Sequence, residues 1–301
     1  MLSFIDKLNI LQGSNLALYT SIALLSTIAL YFAYNAISYW VLKERYHGIR
    51  FTTKNITYIT MLIAVSVSVT IVICLIAPVA VIPPIRIGIE AILVKISGII
   101  FGPIVGVIVG FITELLVMLF VPSYVHIGYV LCVVFFGFIG GAAHSFNRAS
   151  KGNVYILFGL INLFIIVFAA VIIFLYKEYD KPIEILQWKI KGQYFGFVFS
   201  GTILITLIGI WITFWFLILT DKKDTAKEVM FILFLATIAE FVATSIVSSW
   251  GDAGLFNASD SSGYNVMLLT RLISAPFKIL FNTLILYFTY KAVNPLIKRD
   301  Y

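Results

Sequence analysis

Charge is what this sequence has least of. Only 12% of its 301 residues are Asp, Glu, Lys or Arg, about half the share of a soluble domain, which excludes an ordinary water-facing fold. Cysteine is nearly absent. Cys74 and Cys132 both lie in apolar runs and read as small buried hydrophobes, not as a disulfide or metal pair. The three histidines, His47, His126 and His144, have no metal-ligand spacing. No G-x-x-x-x-G-K-[ST] phosphate loop occurs, so ATP is not hydrolysed by that route. Neither H-E-x-x-H nor G-x-S-x-G is present, and no constellation points to an enzyme, a cofactor or a metal. Alternating strand patterns are also missing, against a membrane barrel. The net charge of +7 does not indicate nucleic acid, because positive charge in membrane proteins gathers in cytoplasmic loops.

What is there in abundance is apolar helix. Mean hydropathy is +1.04, and a span needs about 20 apolar residues. Nine such stretches are predicted, at 16–42, 55–78, 86–101, 103–121, 126–143, 154–176, 194–220, 229–250 and 266–293. The chain is therefore expected to be an all-α polytopic membrane protein embedded in a lipid bilayer. The first run is too long and too poor in charge for a cleavable signal, so it reads as a retained helix.

Basic residues set the expected orientation. Lys43, Arg45, Arg50, Lys54, Arg148, Lys151, Lys222, Lys223, Lys227, Lys298 and Arg299 fall in one set of loops. The other set holds fewer, namely Lys7, Arg86, Lys177, Lys181, Lys189 and Lys191. The richer set is placed in the cytoplasm, with the C-terminus inside and the N-terminus outside. The outer stretch 251–265, GDAGLFNASDSSGYN, has turn composition and reads as a connector or as a lid.

Ionisable groups at membrane depth are costly and often mark a substrate site. The cations are Arg86, Lys95, Arg271 and Lys278; the anions are Glu90, Glu114 and Glu240. One cation is left over, which suits an acidic substrate, although each group can equally be half of a structural pair. Arg86 and Glu90 stand at i,i+4 and can pair on one helix. Arg271, Ser274, Lys278 and Asn282 share a face of the last helix, with Pro276 among them. Gly106, Gly110 and Glu114 share another, where small residues permit close helix packing. Tyr124, His126 and Tyr129 suit an interfacial anchor or stacking on a flat ring. Ala64 and Ser68 make a small-xxx-small pair suited to docking another membrane subunit, with Ser66 and Thr70 one register over.

Three segments together resemble a known family. IRIGIEAILVKISGIIFGPIVGVIVGFITELLVML carries an Arg, a Gly-Pro corner, spaced glycines and a terminal acid; HIGYVLCVVFFGFIGG has a Gly-Tyr start and glycine finish; LLTRLISAPFKILFNTLILYFTYKAV has Arg, Lys, Asn and Thr along it. These resemble helices of the substrate-binding S component of energy-coupling-factor (ECF) vitamin importers, folate-type branch, over about 55–143 and 229–293. The resemblance implies a six-helix core with an extra N-terminal helix in 1–54, core helices 1–4 in 55–143, an inserted helical pair in 144–228, and core helices 5–6 with a cytoplasmic tail in 229–301. It implies a vitamin, most closely folate, bound from outside the cell membrane. It further implies docking on a transmembrane coupling subunit served by two ATPase subunits. Arg86, Glu90, Lys95, Glu114, His126, Tyr129, Arg271, Lys278 and Asn282 would then face the vitamin, and Ala64 and Ser68 the coupling subunit. Glu240 and Trp250 depart from the family pattern. Riboflavin or pantothenate as cargo, an ion-coupled secondary transporter and a membrane scaffold are the other readings.

Overall fold

The computed structural model describes residues 13–41, 53–76, 90–121, 124–149, 153–177, 183–185, 188–190, 194–220, 223–255 and 261–298. Its helices are α1 (Asn15–Val41), α2 (Thr53–Ile76), α3 (Glu90–Phe101), α4 (Pro103–Phe120), α5 (Ile127–Ala149), α6 (Val154–Tyr176), α7 (Phe195–Leu219), α8 (Lys223–Ile238), α9 (Ser249–Leu255) and α10 (Ser261–Lys298). A π-helical segment, Ala239–Ser248, joins α8 to α9 without a break. Among the described residues, eight helical stretches are long and apolar enough to cross a membrane, and Ala91–Phe101 is a shorter ninth. The protein is thus an all-α polytopic membrane protein, and its helices fall where the nine apolar runs predict them. One departure is small: Ile183–Ile185 pairs antiparallel with Trp188–Ile190. Glu184 stands opposite Lys189 in this pairing, which sets opposite charges side by side.

The chain divides into two compact units, one of Tyr19–Ser145 and one of Met1–Leu18 with Phe146–Tyr301. Glycine builds the first. Lipid is as apolar as leucine, so helices in a membrane associate through close packing of small residues. Gly98 of α3, Gly106 of α4 and Gly137 of α5 meet backbone to backbone, and a Cβ on any of them would collide with a carbonyl of the facing helix. Further along the same seam, a Cβ on Gly110 would lie 2.7 Å from the Val133 carbonyl oxygen. The corner between α3 and α4 needs glycine for a different reason. Gly102 has φ +91°, a conformation that L side chains rarely adopt, and Pro103 follows at the first helical position. The Gly102 N–H closes α3 on the Gly98 carbonyl at 2.8 Å, and the Gly106 N–H opens α4 on the Gly102 carbonyl at 3.0 Å. Outside the seam, Tyr31 of α1 packs edge-on to Phe138 of α5.

Larger side chains build the second unit. There α10 packs on α7, α8, α9 and the π segment, and α6 packs on α7 and α8. Ring contacts carry much of this. Tyr176 stacks on Phe195 at 3.8 Å, Phe158 on Phe214 at 4.0 Å, and Phe168 meets Phe241 at 5.1 Å. The Trp211 indole N–H donates to the side-chain Oδ1 of Asn162 at 3.0 Å, linking α7 to α6. The segment 154–220 is therefore part of this unit's core.

A two-layer polar site in the second unit

The helix that begins as α8 changes pitch at Ala239. Within the π segment the Ser245 hydroxyl donates to the Glu240 carbonyl, five residues back, at 2.9 Å, and the Thr244 hydroxyl donates to the Ala239 carbonyl at 3.3 Å. Wide turns of this kind inside α-helices collect at functional sites. This one sets Glu240, Ser245, Ser248, Ser249 and Asp252 all inside the unit.

Asp252 is the group that reading the sequence misses. The stretch 251–265 has turn composition, yet 249–255 is helix, and Asp252 is 0% exposed. It accepts a forked pair of hydrogen bonds from Arg271, Nε to Oδ2 at 2.5 Å and Nη2 to Oδ1 at 2.9 Å. Arg271 is itself only 1% exposed. A guanidinium matches a carboxylate in this geometry better than any other pair of side chains. Two neighbouring bonds hold the same corner: Tyr264 donates to the Ile246 carbonyl at 3.0 Å, and Tyr176 to Asn265 Oδ1 at 2.5 Å. The lid reading of 251–265 is thus corrected for 251–255, which is an internal helical turn clipped to α10; residues 256–260 lie outside the described residues. The surplus cation disappears as well, because Asp252 brings the intramembrane anions level with the cations. A signal was there to be read: Ser245, Ser249 and Asp252 fall at i, i+4 and i+7, a continued helical face.

A second layer lies further along α10. Glu240 and Lys278 are the middle residues of the 31-residue spans Thr225–Leu255 and Gly263–Val293. Glu240 is 2% exposed, and its Oε1 accepts no hydrogen bond from the described residues. Lys278 is half-buried and lies within electrostatic reach of Glu240, Arg271 and Asp252. Arg271 and Lys278 are seven positions apart, about 10 Å along the helix axis. Asn282 and Ser274 are half-buried on the same face, and the Ser274 hydroxyl donates to the Arg271 carbonyl at 3.0 Å.

The remaining candidates belong to the first unit or fall outside the described residues. Arg86 lies outside them, as does the Glu90 side chain, so the expected i,i+4 pair falls there too. Lys95 and Glu114 are 2% and 1% exposed, and the Lys95 ammonium sits 4.2 Å above the Phe136 ring, a cation–π contact. His126 caps the start of α5, its Nδ1 accepting the Gly128 N–H at 3.0 Å, so a neutral ring carries its proton on Nε2. Tyr124 stacks on His126, Tyr129 meets it edge-on, and Tyr129 is buried; of the two tyrosines Tyr124 keeps an exposed ring. On α2, Ala64 and Ser68 are exposed, while Ser66 and Thr70 point inward.

No family model matches the chain, and no solved structure matches it. A stretch of 93 residues is 39% identical to a Mycoplasma pneumoniae (strain ATCC 29342 / M129 / Subtype 1) protein described as "Uncharacterized protein MG098 homolog". The match takes in 29% of this chain and 19% of that protein. What stands established is a multi-pass helical membrane protein whose second unit buries Glu240, Asp252 and Arg271, with Lys278 half-buried beside them.

Proposed function

We propose that the chain is the solute-binding subunit of an energy-coupled importer, of the ECF S-component kind, with folate as its cargo. The observation that carries the reading is the pair Glu240 and Lys278, each at the middle of its span. Ionisable groups are retained at that depth mainly where they serve a solute or ion path, and membrane transporters commonly bind their cargo near the midplane. The resemblance of the α3–α4, α5 and α10 sequences to folate-type S components supplies the vitamin class. The exposed small pair Ala64 and Ser68 on α2 suits a coupling subunit that must approach closely. Separate ATPase subunits supply the energy in this reading, and the cell membrane with the C-terminus inside is the location.

Within that frame Arg271 changes role. A guanidinium already forked onto Asp252 is a positioning group, and Lys278, with Asn282 one turn further on, is the cation offered to cargo. The test begins with purification of the chain and mass spectrometry of any co-purifying small molecule, followed by calorimetric titration with folate. Tight binding near one folate per chain supports the reading. A different vitamin bound tightly keeps the importer class and replaces the cargo, and no heat with any vitamin overturns the reading.

The mid-span acid–base pair also favours a second reading, an ion-coupled secondary transporter. Uptake in vesicles separates the two. A subunit of an energy-coupled importer moves solute only with its coupling subunit, the ATPases and ATP, whereas a secondary transporter moves it alone when an ion gradient is imposed.

A further inference from the structure

We propose that the solute is an anion and that it binds together with one proton: its acidic group pairs with Lys278 while Glu240 takes up a proton from water. The inference rests on the solute-binding reading above, whose folate cargo carries carboxylates, and adds the ionic coupling of its binding.

The starting point is electrical neutrality. Among the described residues of the π segment, α9 and the facing part of α10, the charged groups are Arg271, Asp252 and Glu240, which are buried, and Lys278, which is half-buried. Two positive charges balance two negative ones. The outer pair is closed, because both oxygens of Asp252 take hydrogen bonds from Arg271 and both residues are buried. Opening it would leave a charge buried without compensation. Lys278 is the cation that is partly exposed. An incoming carboxylate at Lys278 therefore makes three anions against two cations in a region of low polarity, where like charges repel strongly. One of the three must be neutralised.

Glu240 is the group suited to it. It is buried, lies within electrostatic reach of Lys278, and has an oxygen that accepts no hydrogen bond from the described residues. Asp252 is held by its fork. The neighbouring elements supply no rival. The last two turns of α8, 231–238, contain no ionisable residue. From α6, Tyr176 is engaged with Asn265, and from α10, Tyr264 is engaged with the Ile246 carbonyl. The charged groups within electrostatic reach of Lys278 are Glu240 in the π segment, Asp252 in α9 and Arg271 in α10. In the balanced step one proton leaves water for a Glu240 oxygen, the solute carboxylate replaces Glu240 as the counter-charge of Lys278, and the site stays neutral.

The experiment is calorimetric titration of folate into the full-length chain in detergent, in two buffers of equal pH but different ionisation enthalpy. The expected result is uptake of about one proton per folate, with affinity falling about tenfold per pH unit as pH rises. In Glu240→Gln, which keeps shape and loses the titratable group, uptake falls to near zero and affinity stops depending on pH. Glu240→Met is the second variant if the amide does not fold, with monodispersity as the check on both. Tight folate binding without proton uptake overturns the inference and leaves the vitamin reading standing, and uptake unchanged in Glu240→Gln also overturns it. Tight binding of neutral riboflavin in place of folate overturns the anion assignment while keeping the importer class. No heat with folate, pantothenate or riboflavin overturns both.

Discussion

Asp252→Ala is expected to be among the most damaging single substitutions in the second unit, although the sequence around it looks like a surface turn. It removes the carboxylate from a guanidinium that is 1% exposed and cannot reach water without unpacking α10. Breaking a buried pair by deleting one partner costs about 3–5 kcal/mol. At about 2–4 °C per kcal/mol for a large domain, the melting temperature should fall by about 6–20 °C. Arg271→Met should cost a similar amount for the mirror-image reason. The double variant Asp252→Leu with Arg271→Met is the decisive one, since replacing both charges with apolar groups of similar size is often neutral or better. Thermal unfolding of detergent-purified protein, read by intrinsic tryptophan fluorescence, completes the cycle. The double variant should lie closer to the parent than either single variant does. A drop of only a degree or two in Asp252→Ala, or single effects that simply add in the double, would refute the claim that the fork clips α9 to α10.

Two further outcomes follow from the packing. Gly137→Ala places a methyl group against the Gly106 backbone, where neither helix can give way; it should cost about 1–3 kcal/mol, seen as a lower melting temperature, whereas Gly159→Ala, with open space around it, should be tolerated. Ala64→Leu lies on an exposed face of α2 and should change stability by less than about 0.5 kcal/mol, while abolishing co-purification with the coupling subunit and sparing folate binding; unchanged co-purification would remove Ala64 from the docking face.

The helices were legible because lipid imposes a simple demand, long apolar runs with every backbone group bonded internally. The Gly102–Pro103 corner was equally plain, since few residues other than glycine take its φ and proline opens a helix. The polar site was legible on one side only. Arg271, Lys278 and Asn282 fall on one face at ordinary α spacing, so counting by 3.6 finds them. Their partners yield to the same count only in part, since Asp252 keeps α spacing with Ser245 and Ser249 and Glu240 does not. The π segment shifts the register between Glu240 and Asp252, and the Gly, Ser and Asp content of 251–265 imitates a turn. Arg271 was consequently counted in a set of cations with one left over, although both oxygens of Asp252 hold it. Tyr176 and Asn265 were invisible for another reason: they are 89 positions apart in sequence, and no local pattern reports such a contact.

The wide turn between Ala239 and Ser248 has a geometric consequence. A π turn is an α turn holding an extra residue, and one residue's share of an α turn is about 100°. A segment with Glu240 near one end and Asp252 just past the other therefore offsets the two carboxylates from the angle that an uninterrupted α-helix would give them. Deleting one residue from this segment would leave a helix of ordinary pitch that cannot present Glu240 and Asp252 to α10 together.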